Sequence, residues 1–302
     1  MEFNRLLSSA ISAYGEPNLT SIKNEVKIEK NQKAINKKEY YLIENLEQID
    51  NWITEAEELG EVAVDTETNS LDPHQADLVG VSLSSKIGKA CYIPIGHKSN
   101  KCIEKDLVLK KLKPLLEDPS IKKIGQNIKF DFIVFFKHGI NMTSMEDTML
   151  MSYVLDAGKN RHNMDTLSEI HLNHKTISFK DLVGTGKKEI NFSEVDVEKA
   201  KDYAAEDADI TFRLYKKFQK SLKDEKMINI YEIFEKPLLK ILAFMEIEGV
   251  KIDNKFLKSL STKFEKKIVK IQNEVFKISK KEFNIASPKQ LGEILYLSLI
   301  HI

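Results

Sequence analysis

A chain of 302 residues is long enough for one sizeable hydrophobic core with appendages, or for two domains. Hydrophobic residues make up 42% and charged residues 30%, a composition that is typical of a globular protein and excludes a disordered one. Lysine plus arginine and aspartate plus glutamate number 46 each, so the net charge gives no evidence for an anionic partner.

The chain has no sequence sign of export or of membrane insertion. No run approaches the roughly 18 apolar residues that a membrane span needs, so we expect no membrane partner. The opening residues lack a signal-peptide pattern, and Cys91 and Cys102 lack a CxxC spacing. A cytoplasmic location with both thiols unpaired is therefore expected.

The predicted elements divide the chain into three parts. Residues 1–39 are expected to form a short helix over residues 1–16 and then a polar linker. In residues 40–225 strands alternate with helices, which predicts a three-layer α/β domain with a mixed sheet. Residues 226–302 are predicted to be helical, with a long lysine-rich helix at residues 254–281.

Within the central part, alternating apolar residues and turn signals predict strands at residues 40–43, 61–65, 78–84, 89–95 and 121–126. Helical spacing predicts helices at residues 45–59, 104–117, 127–139, 146–156, 163–172 and 194–222. Asn127 is expected to cap the helix that follows it, and Gly139 to end that helix.

The segment VAVDTETNSLD (residues 62–72) carries the first candidate site. Alternate residues of a strand face the same side, so Asp65 and Glu67 project together. Like charges this close repel each other unless a cation lies between them, and carboxylate oxygens suit Mg²⁺ or Mn²⁺ better than Zn²⁺. Taken alone, the pattern also fits a strand end whose acids are solvated.

Two further segments place acids on helices. In GQNIKFD (residues 125–131), Asp131 has strongly apolar neighbours, and a buried acid is costly unless it is paired or bound to a cation; an exposed stripe is the alternative. In DYAAEDADITFRLY (residues 202–215), Tyr203 and Asp207 are four residues apart on one helical face, beside small alanines that allow close approach. Here Glu206 and Asp209 are interpreted as a solvated acidic face.

The three segments, in this order, resemble the exonuclease motifs of the bacterial DNA polymerase I family. They are DTET with SLD, then GQNIKFD, then YAAEDAD, and the resemblance extends over about residues 40–302. The wider group is the four-acid-plus-tyrosine (DEDDy) superfamily, which has a ribonuclease H-like fold. The resemblance implies a proofreading 3′→5′ exonuclease that acts on single-stranded or frayed 3′ ends of DNA.

The resemblance also implies a role for each acid. Asp65, Glu67 and Asp207 would hold one divalent metal ion, and Asp65 and Asp131 would hold or position the second. Tyr203 would orient the attacking water, because a phenol with a pKa near about 10 is too weak a base to deprotonate it. Two cations roughly 4 Å apart can activate water and neutralise the leaving 3′-oxygen, and this is why the chemistry needs four acids.

Four more residues correspond to substrate-binding positions of the family. Leu71 and Phe179 match positions that pack against the terminal bases, and Gln126 and Asn127 match positions that line the substrate site. Packing in a core or a loop is the alternative interpretation for each of them.

Beyond the exonuclease motifs, residues 235–260 resemble the entry to the polymerase domain of the family, and the next helix resembles the start of its thumb. The final residues YLSLIHI do not match the expected continuation, and no palm or fingers follow. We therefore expect an internal fragment that is monomeric and that adds no nucleotides to a primer.

Two alternative functions remain open at this stage. An RNA-trimming enzyme resembling ribonuclease D would keep the fold and change the substrate. A non-catalytic scaffold would bind DNA without cutting it, although such proteins typically lose acids and this chain retains all four.

Overall fold

The computed structural model describes residues 39–98, 102–186 and 189–300. It consists of two compact units, Met1–Ile247 and Glu248–Ile302. The helix predicted over residues 1–16 and nearly all of the linker predicted over residues 17–39 lie outside the described residues. The domain division at residues 225 and 226 stays a prediction.

A six-stranded mixed sheet forms the centre of the first unit. Its strands are β1 (Tyr40–Leu42), β2 (Glu61–Thr68), β3 (Leu78–Lys86), β4 (Lys89–Pro94), β5 (Lys122–Gly125) and β6 (Met145–Asp147), in the spatial order β1-β4-β3-β2-β5-β6. Strands β2, β3 and β4 form an antiparallel meander, whereas β1 joins β4, β5 joins β2 and β6 joins β5 in parallel. The predicted mixed sheet is confirmed, and β2 lies inside it with a partner strand on each side.

Helices surround the sheet and continue into the second unit. They are α1 (Leu46–Leu59), α2 (Lys105–Glu117), α3 (Ile128–Lys137), α4 (Thr148–Asp156), α5 (Met164–Leu172), α6 (Phe179–Val183), α7 (Val197–Asp224), α8 (Ile228–Ile230), α9 (Lys236–Glu248), α10 (Asn254–Ser279) and α11 (Pro288–Ile300). Among the described residues, no helix is both long and apolar enough to cross a membrane.

Strand β2 divides its side chains between two helical layers because successive residues point to opposite faces. Val62 and Val64 pack in the core that contains α1, α2, α3 and part of α9. Ala63 packs on the other face, with residues of α4, α5 and α7. This arrangement is the predicted three-layer α/β fold.

Two local predictions are corrected. The helix expected at residues 146–156 begins only at Thr148, because Met145–Asp147 form the short edge strand β6. Three residues are too few to show strand periodicity in a sequence. The five-residue helix Phe179–Val183 was not predicted, for the same reason of length.

The second unit is helical, as predicted. The side chain of Asp253 caps the N-terminus of α10 by accepting hydrogen bonds from the backbone N–H groups of Lys255 and Phe256. The helix ends at Ser279, where Lys280 adopts a left-handed conformation with a φ of 54°. Helix α10 has no buried residue.

Candidate active site

The end of β2 presents two carboxylates on one face of the sheet. Asp65 and Glu67 lie on the same face as Ala63, the face covered by α7. Glu67 is buried, with 7% of its surface exposed, and Asp65 is half-buried. A carboxylate oxygen from each of these two residues and one from Asp207 lie within 4.8 Å of one another.

Helix α7 brings Tyr203 and Asp207 to these acids. The carboxylate of Asp196 caps its first turn by accepting hydrogen bonds from the backbone N–H groups of two residues. Ala205 and Ala208 are fully buried in a cluster with residues of β1 and β4. Small side chains therefore let the helix approach the sheet closely, as the sequence predicted.

Asp131 reaches the site from the opposite helical layer. It lies in the first turn of α3, and 3% of its surface is exposed. Its Oδ1 accepts hydrogen bonds from the backbone N–H of Thr66, at 2.9 Å, and from the Thr66 hydroxyl. Asp131 lies outside the group of three oxygens within 4.8 Å, yet its charge acts on Glu67, and the charge of Asp65 acts on it.

The four carboxyl groups have pKa values above their ordinary range. Burial raises the pKa of Asp65 to about 6. Burial, and then the neighbouring carboxylates, raise the pKa of Glu67, Asp131 and Asp207. Oε1 of Glu67 is buried and has no hydrogen-bond partner among the described residues. An all-oxygen cluster that repels itself and leaves a buried acceptor unpaired fits a hard divalent cation.

The phenol of Tyr203 is held in its protonated form. Burial and then the charge of Asp207 raise the pKa of this group well above its usual value. The Tyr203 phenol donates a hydrogen bond to the Asp207 carboxylate, and this bond lowers the pKa of Asp207. Tyr203 is thus a hydrogen-bonding group at neutral pH and not a base.

A cavity of about 460 Å³ opens beside the acids and has an apolar wall. The ring of Phe179 is stacked on that of Phe192, with centroids 6.1 Å apart and an interplanar angle of 4°. The ring centroid of Tyr203 lies 6.0 Å from that of Phe179 and 6.1 Å from that of Phe192. Leu71 also lines the cavity, and 92% of its surface is exposed. Apolar surface therefore faces solvent directly beside the carboxylates.

The other two predicted substrate residues are engaged elsewhere. Gln126 donates a hydrogen bond to the backbone oxygen of His162 and accepts one from the Thr148 hydroxyl. Asn127 precedes α3 in a left-handed conformation, with a φ of 61°, and its side chain does not cap the helix. The predicted cap is thus wrong, because the carboxylate of Asp147 caps the N-terminus of α3 instead. Neither Gln126 nor Asn127 lines the cavity, and their role in substrate binding stays a prediction.

The interpretation of Glu206 and Asp209 as solvated acids is wrong, because both side chains are fully buried. Glu206 accepts hydrogen bonds from His174 Nε2, at 3.0 Å, and from the backbone N–H of Ile177, at 2.6 Å. Asp209 accepts hydrogen bonds from Tyr40 Oη, Gly88 N and Arg213 Nε. Both acids therefore tie α7 to neighbouring segments.

Comparison with known proteins identifies the family. A model of the family described as 3′-5′ exonuclease matches residues 40–223, more than half of the chain. The chain belongs to this family. DNA polymerase I of Rhizobium leguminosarum is 42% identical over an alignment of 279 residues that covers 85% of this chain and 27% of that protein. DNA polymerase I of Pseudomonas aeruginosa is 40% identical over an alignment of 254 residues that covers 82% of this chain and 28% of that protein.

Two solved structures share the fold of the exonuclease chain. One is the POL domain of Pol1 from M. smegmatis in complex with DNA primer-template and dNTP. It has a TM-score of 0.66 at 18% sequence identity, and the matched region covers 83% of this chain and 40% of that chain. The other is Brucella melitensis NrnC, which has a TM-score of 0.53 at 24% sequence identity, and the matched region covers 69% of this chain and 92% of that chain. The chain spans less than a third of the length of the two curated relatives named above.

The sequence analysis misses three side chains that line the candidate site or hold the elements around it. Thr66 lies between two predicted ligands, and only the fold brings it to Asp131. Asp147 carries a signal that was available, since an acid directly before a helix is a preferred N-cap. Phe192 lies in a short 3₁₀ turn in a loop, where no periodicity marks a buried ring.

The raised pKa values predict how pH affects the stability of the metal-free exonuclease. The folded carboxyl groups keep their protons to higher pH than the unfolded ones, whose pKa values are about 4, so stability falls as pH rises above about 4 and through the raised pKa values, about 6 for Asp65 and well above its ordinary value for Asp207. In EDTA, we expect the Tm to fall between about pH 5 and about pH 7.5, and to fall less in Asp207→Asn, which removes one titrating group. Thermal unfolding followed by circular dichroism measures both. An equal fall in the two proteins would contradict the assignment.

Proposed function

We propose that this exonuclease hydrolyses the 3′-terminal phosphodiester of DNA with two divalent cations, Mg²⁺ or Mn²⁺. One observation carries the proposal: oxygens of Asp65, Glu67 and Asp207 lie within 4.8 Å of one another, while a buried oxygen of Glu67 has no partner among the described residues. A purely structural cluster would pair that oxygen, because an unpaired buried acceptor is costly.

The proposed ligands are the four acids. Asp65, Glu67 and Asp207 would hold one cation, and Asp65 and Asp131 would hold or position the second. When bound, the cations supply a nucleophilic water near neutral pH and neutralise the leaving 3′-oxygen. The raised pKa values support this, because a cation removes the repulsion that the carboxylates otherwise suffer.

Tyr203 is proposed to position the attacking water with the help of Glu67. Its phenol stays protonated at neutral pH and is already oriented by its hydrogen bond with Asp207. A group in this state donates or accepts a hydrogen bond without taking up the proton of the water. Tyr203 therefore acts through geometry and not through basicity.

The apolar wall supports a single-stranded or frayed 3′ end as the substrate. Leu71 and Phe179 are exposed beside the acids and present surfaces on which unpaired bases can stack. Gln126 and Asn127 are proposed to contact the strand as well. A mismatched end unpairs at lower cost than a matched one, so selectivity for errors needs no reading of sequence.

The relatives suggest the wider setting. Because they are named DNA polymerase I, we propose that the domain proofreads newly made DNA in replication and repair as part of a longer polymerase. A cytoplasmic location and a monomeric state complete the proposal.

An end-labelled oligonucleotide tests the function. With Mg²⁺, a label on the 3′-terminal nucleotide of single-stranded DNA is expected in mononucleotides from the start, whereas a 5′ label is expected in a ladder of shortening strands. EDTA should stop both reactions. Faster digestion of RNA of the same sequence would favour the ribonuclease D-like alternative. Binding of DNA without any hydrolysis would favour the non-catalytic scaffold.

A further inference from the structure

Thr66 lies between two of the proposed ligands but faces the opposite side of the sheet. Asp65 and Glu67 share the face of Ala63, which is covered by α7. Thr66 shares the face of Val62 and Val64, which is covered by α3. It is buried, with 8% of its surface exposed, so its hydroxyl needs a partner inside the protein.

That partner is the carboxylate of Asp131. The backbone N–H and the hydroxyl of Thr66 both donate to the same oxygen, Oδ1 of Asp131. Two donors from one residue hold this oxygen beside Thr66 and leave Oδ2 free of Thr66. Without them, the Asp131 carboxylate would keep only the hydrogen bond with its own backbone, and the repulsive charge of Asp65 would still act on it.

We propose that Thr66 is a positioning residue for the cation site: it fixes Asp131 so that Oδ2, the oxygen that Thr66 does not bind, is directed to a divalent cation. The inference rests on the proposed function, since it assumes that Asp131 is a ligand. Asp131 then contributes a single oxygen, because Oδ1 is occupied by two donors. Such outer partners of ligands orient them and tune their affinity for the metal.

The substitution Thr66→Val isolates the hydroxyl. Valine has nearly the same shape and retains the backbone N–H, so Asp131 keeps one of its two donors and loses the other. Thr66→Ser keeps the hydroxyl and loses only a methyl group. Thr143→Val is the matched control, because it removes a hydroxyl that donates to the backbone oxygen of Glu117 and accepts from Lys123, and Thr143 does not line the cavity.

The experiment measures Mn²⁺ binding and not activity. Electron paramagnetic resonance counts free Mn²⁺ during titration of the protein with thymidine 5′-monophosphate present. Thr66→Val is expected to weaken Mn²⁺ binding about tenfold, the lower end of the range for lost outer partners, whereas Thr66→Ser and Thr143→Val change it less than about twofold. Thermal unfolding in EDTA checks that all variants are folded.

The variant Asp131→Asn separates the two levels of the proposal. If Asp131→Asn weakens Mn²⁺ binding and Thr66→Val does not, the role of Thr66 is overturned while the proposed function stands. If Asp131→Asn also binds Mn²⁺ like the wild type, Asp131 is not a ligand, and the proposed four-acid site fails together with the inference. An equal loss in Thr66→Val and Thr143→Val would overturn the inference too, because a general effect on the fold would then explain both.

Discussion

Replacing both Asp65 and Asp207 by alanine is expected to lower the rate of nucleotide release by at least about a thousandfold, which corresponds to about 4 kcal/mol of lost transition-state stabilisation. The two residues contribute two of the three oxygens that lie within 4.8 Å of one another, so the double variant leaves Glu67 alone in that group. Release of a 3′-terminal label from single-stranded DNA with Mg²⁺ measures the effect.

The fold of this double variant should survive. The removed carboxylates repel their neighbours in the metal-free protein, and their raised pKa values mean that ionising them costs the folded state stability as pH rises through those values. In EDTA we therefore expect a Tm equal to or above that of the wild type. The control variant replaces two exposed acids, Asp106 and Asp224, by alanine and should retain activity. Retained activity in Asp65→Ala with Asp207→Ala would refute the proposed site.

Replacing Asp147 by alanine is expected to destabilise the first unit by about 3 kcal/mol, because one side chain caps two helices and the loss of a single cap typically costs about 1–2 kcal/mol. Its carboxylate is buried and accepts hydrogen bonds from two backbone N–H groups at the start of α3 and two at the start of α4. The donors are Asn127, Ile128, Met149 and Leu150, with distances of 3.0, 3.1, 2.8 and 3.4 Å. Urea unfolding followed by circular dichroism measures the change.

The variant Asp147→Asn distinguishes capping from packing. Its amide oxygen can still accept from Asn127 and Met149, but its NH₂ group cannot accept from Ile128. We therefore expect the free energy of unfolding of Asp147→Asn to lie between that of the wild type and that of Asp147→Ala. If Asp147→Ala were as stable as the wild type, the caps that Asp147 provides to α3 and α4 would not stabilise the fold, which would contradict this prediction.

The sequence predicted the parts of the site that follow from local periodicity. The period of two places Asp65 and Glu67 on one face of β2, and the period of 3.6 places Tyr203 and Asp207 on one face of α7. Both predictions depend only on the type of element, which long apolar and alanine-rich patterns indicate well. The mixed sheet followed from the order of strands and helices.

Burial on α7 could not be predicted in this way. Glu206 and Asp209 were interpreted as solvated because a helix usually exposes one side. In the structure α7 packs on the sheet and also against α4, α5 and α6, so most of its middle is covered. The partners of the two acids lie up to 169 residues away, as for Tyr40 and Asp209, and no local pattern predicts such a pair.

The hydrogen bonds of Asp131 could not be predicted from the sequence either. Thr66 and Asp131 are 65 residues apart and belong to different elements, so their contact depends on the pairing of β5 beside β2, from which the chain continues into α3. Asp147 does carry an N-cap signal, but the helix predicted over residues 146–156 includes it and so misses the cap. Sequence patterns thus indicate the acids of the proposed site, whereas the contact between Thr66 and Asp131 is seen only in the fold.

The most direct test of the four-acid site is a crystal structure of the exonuclease soaked with Mn²⁺ and thymidine 5′-monophosphate, read by anomalous scattering. We expect two Mn²⁺ peaks about 4 Å apart, one bound by Asp65, Glu67 and Asp207 and the other by Asp65 and Asp131. Peaks bound by other side chains, or no peak at these acids at a saturating concentration of Mn²⁺, would contradict it.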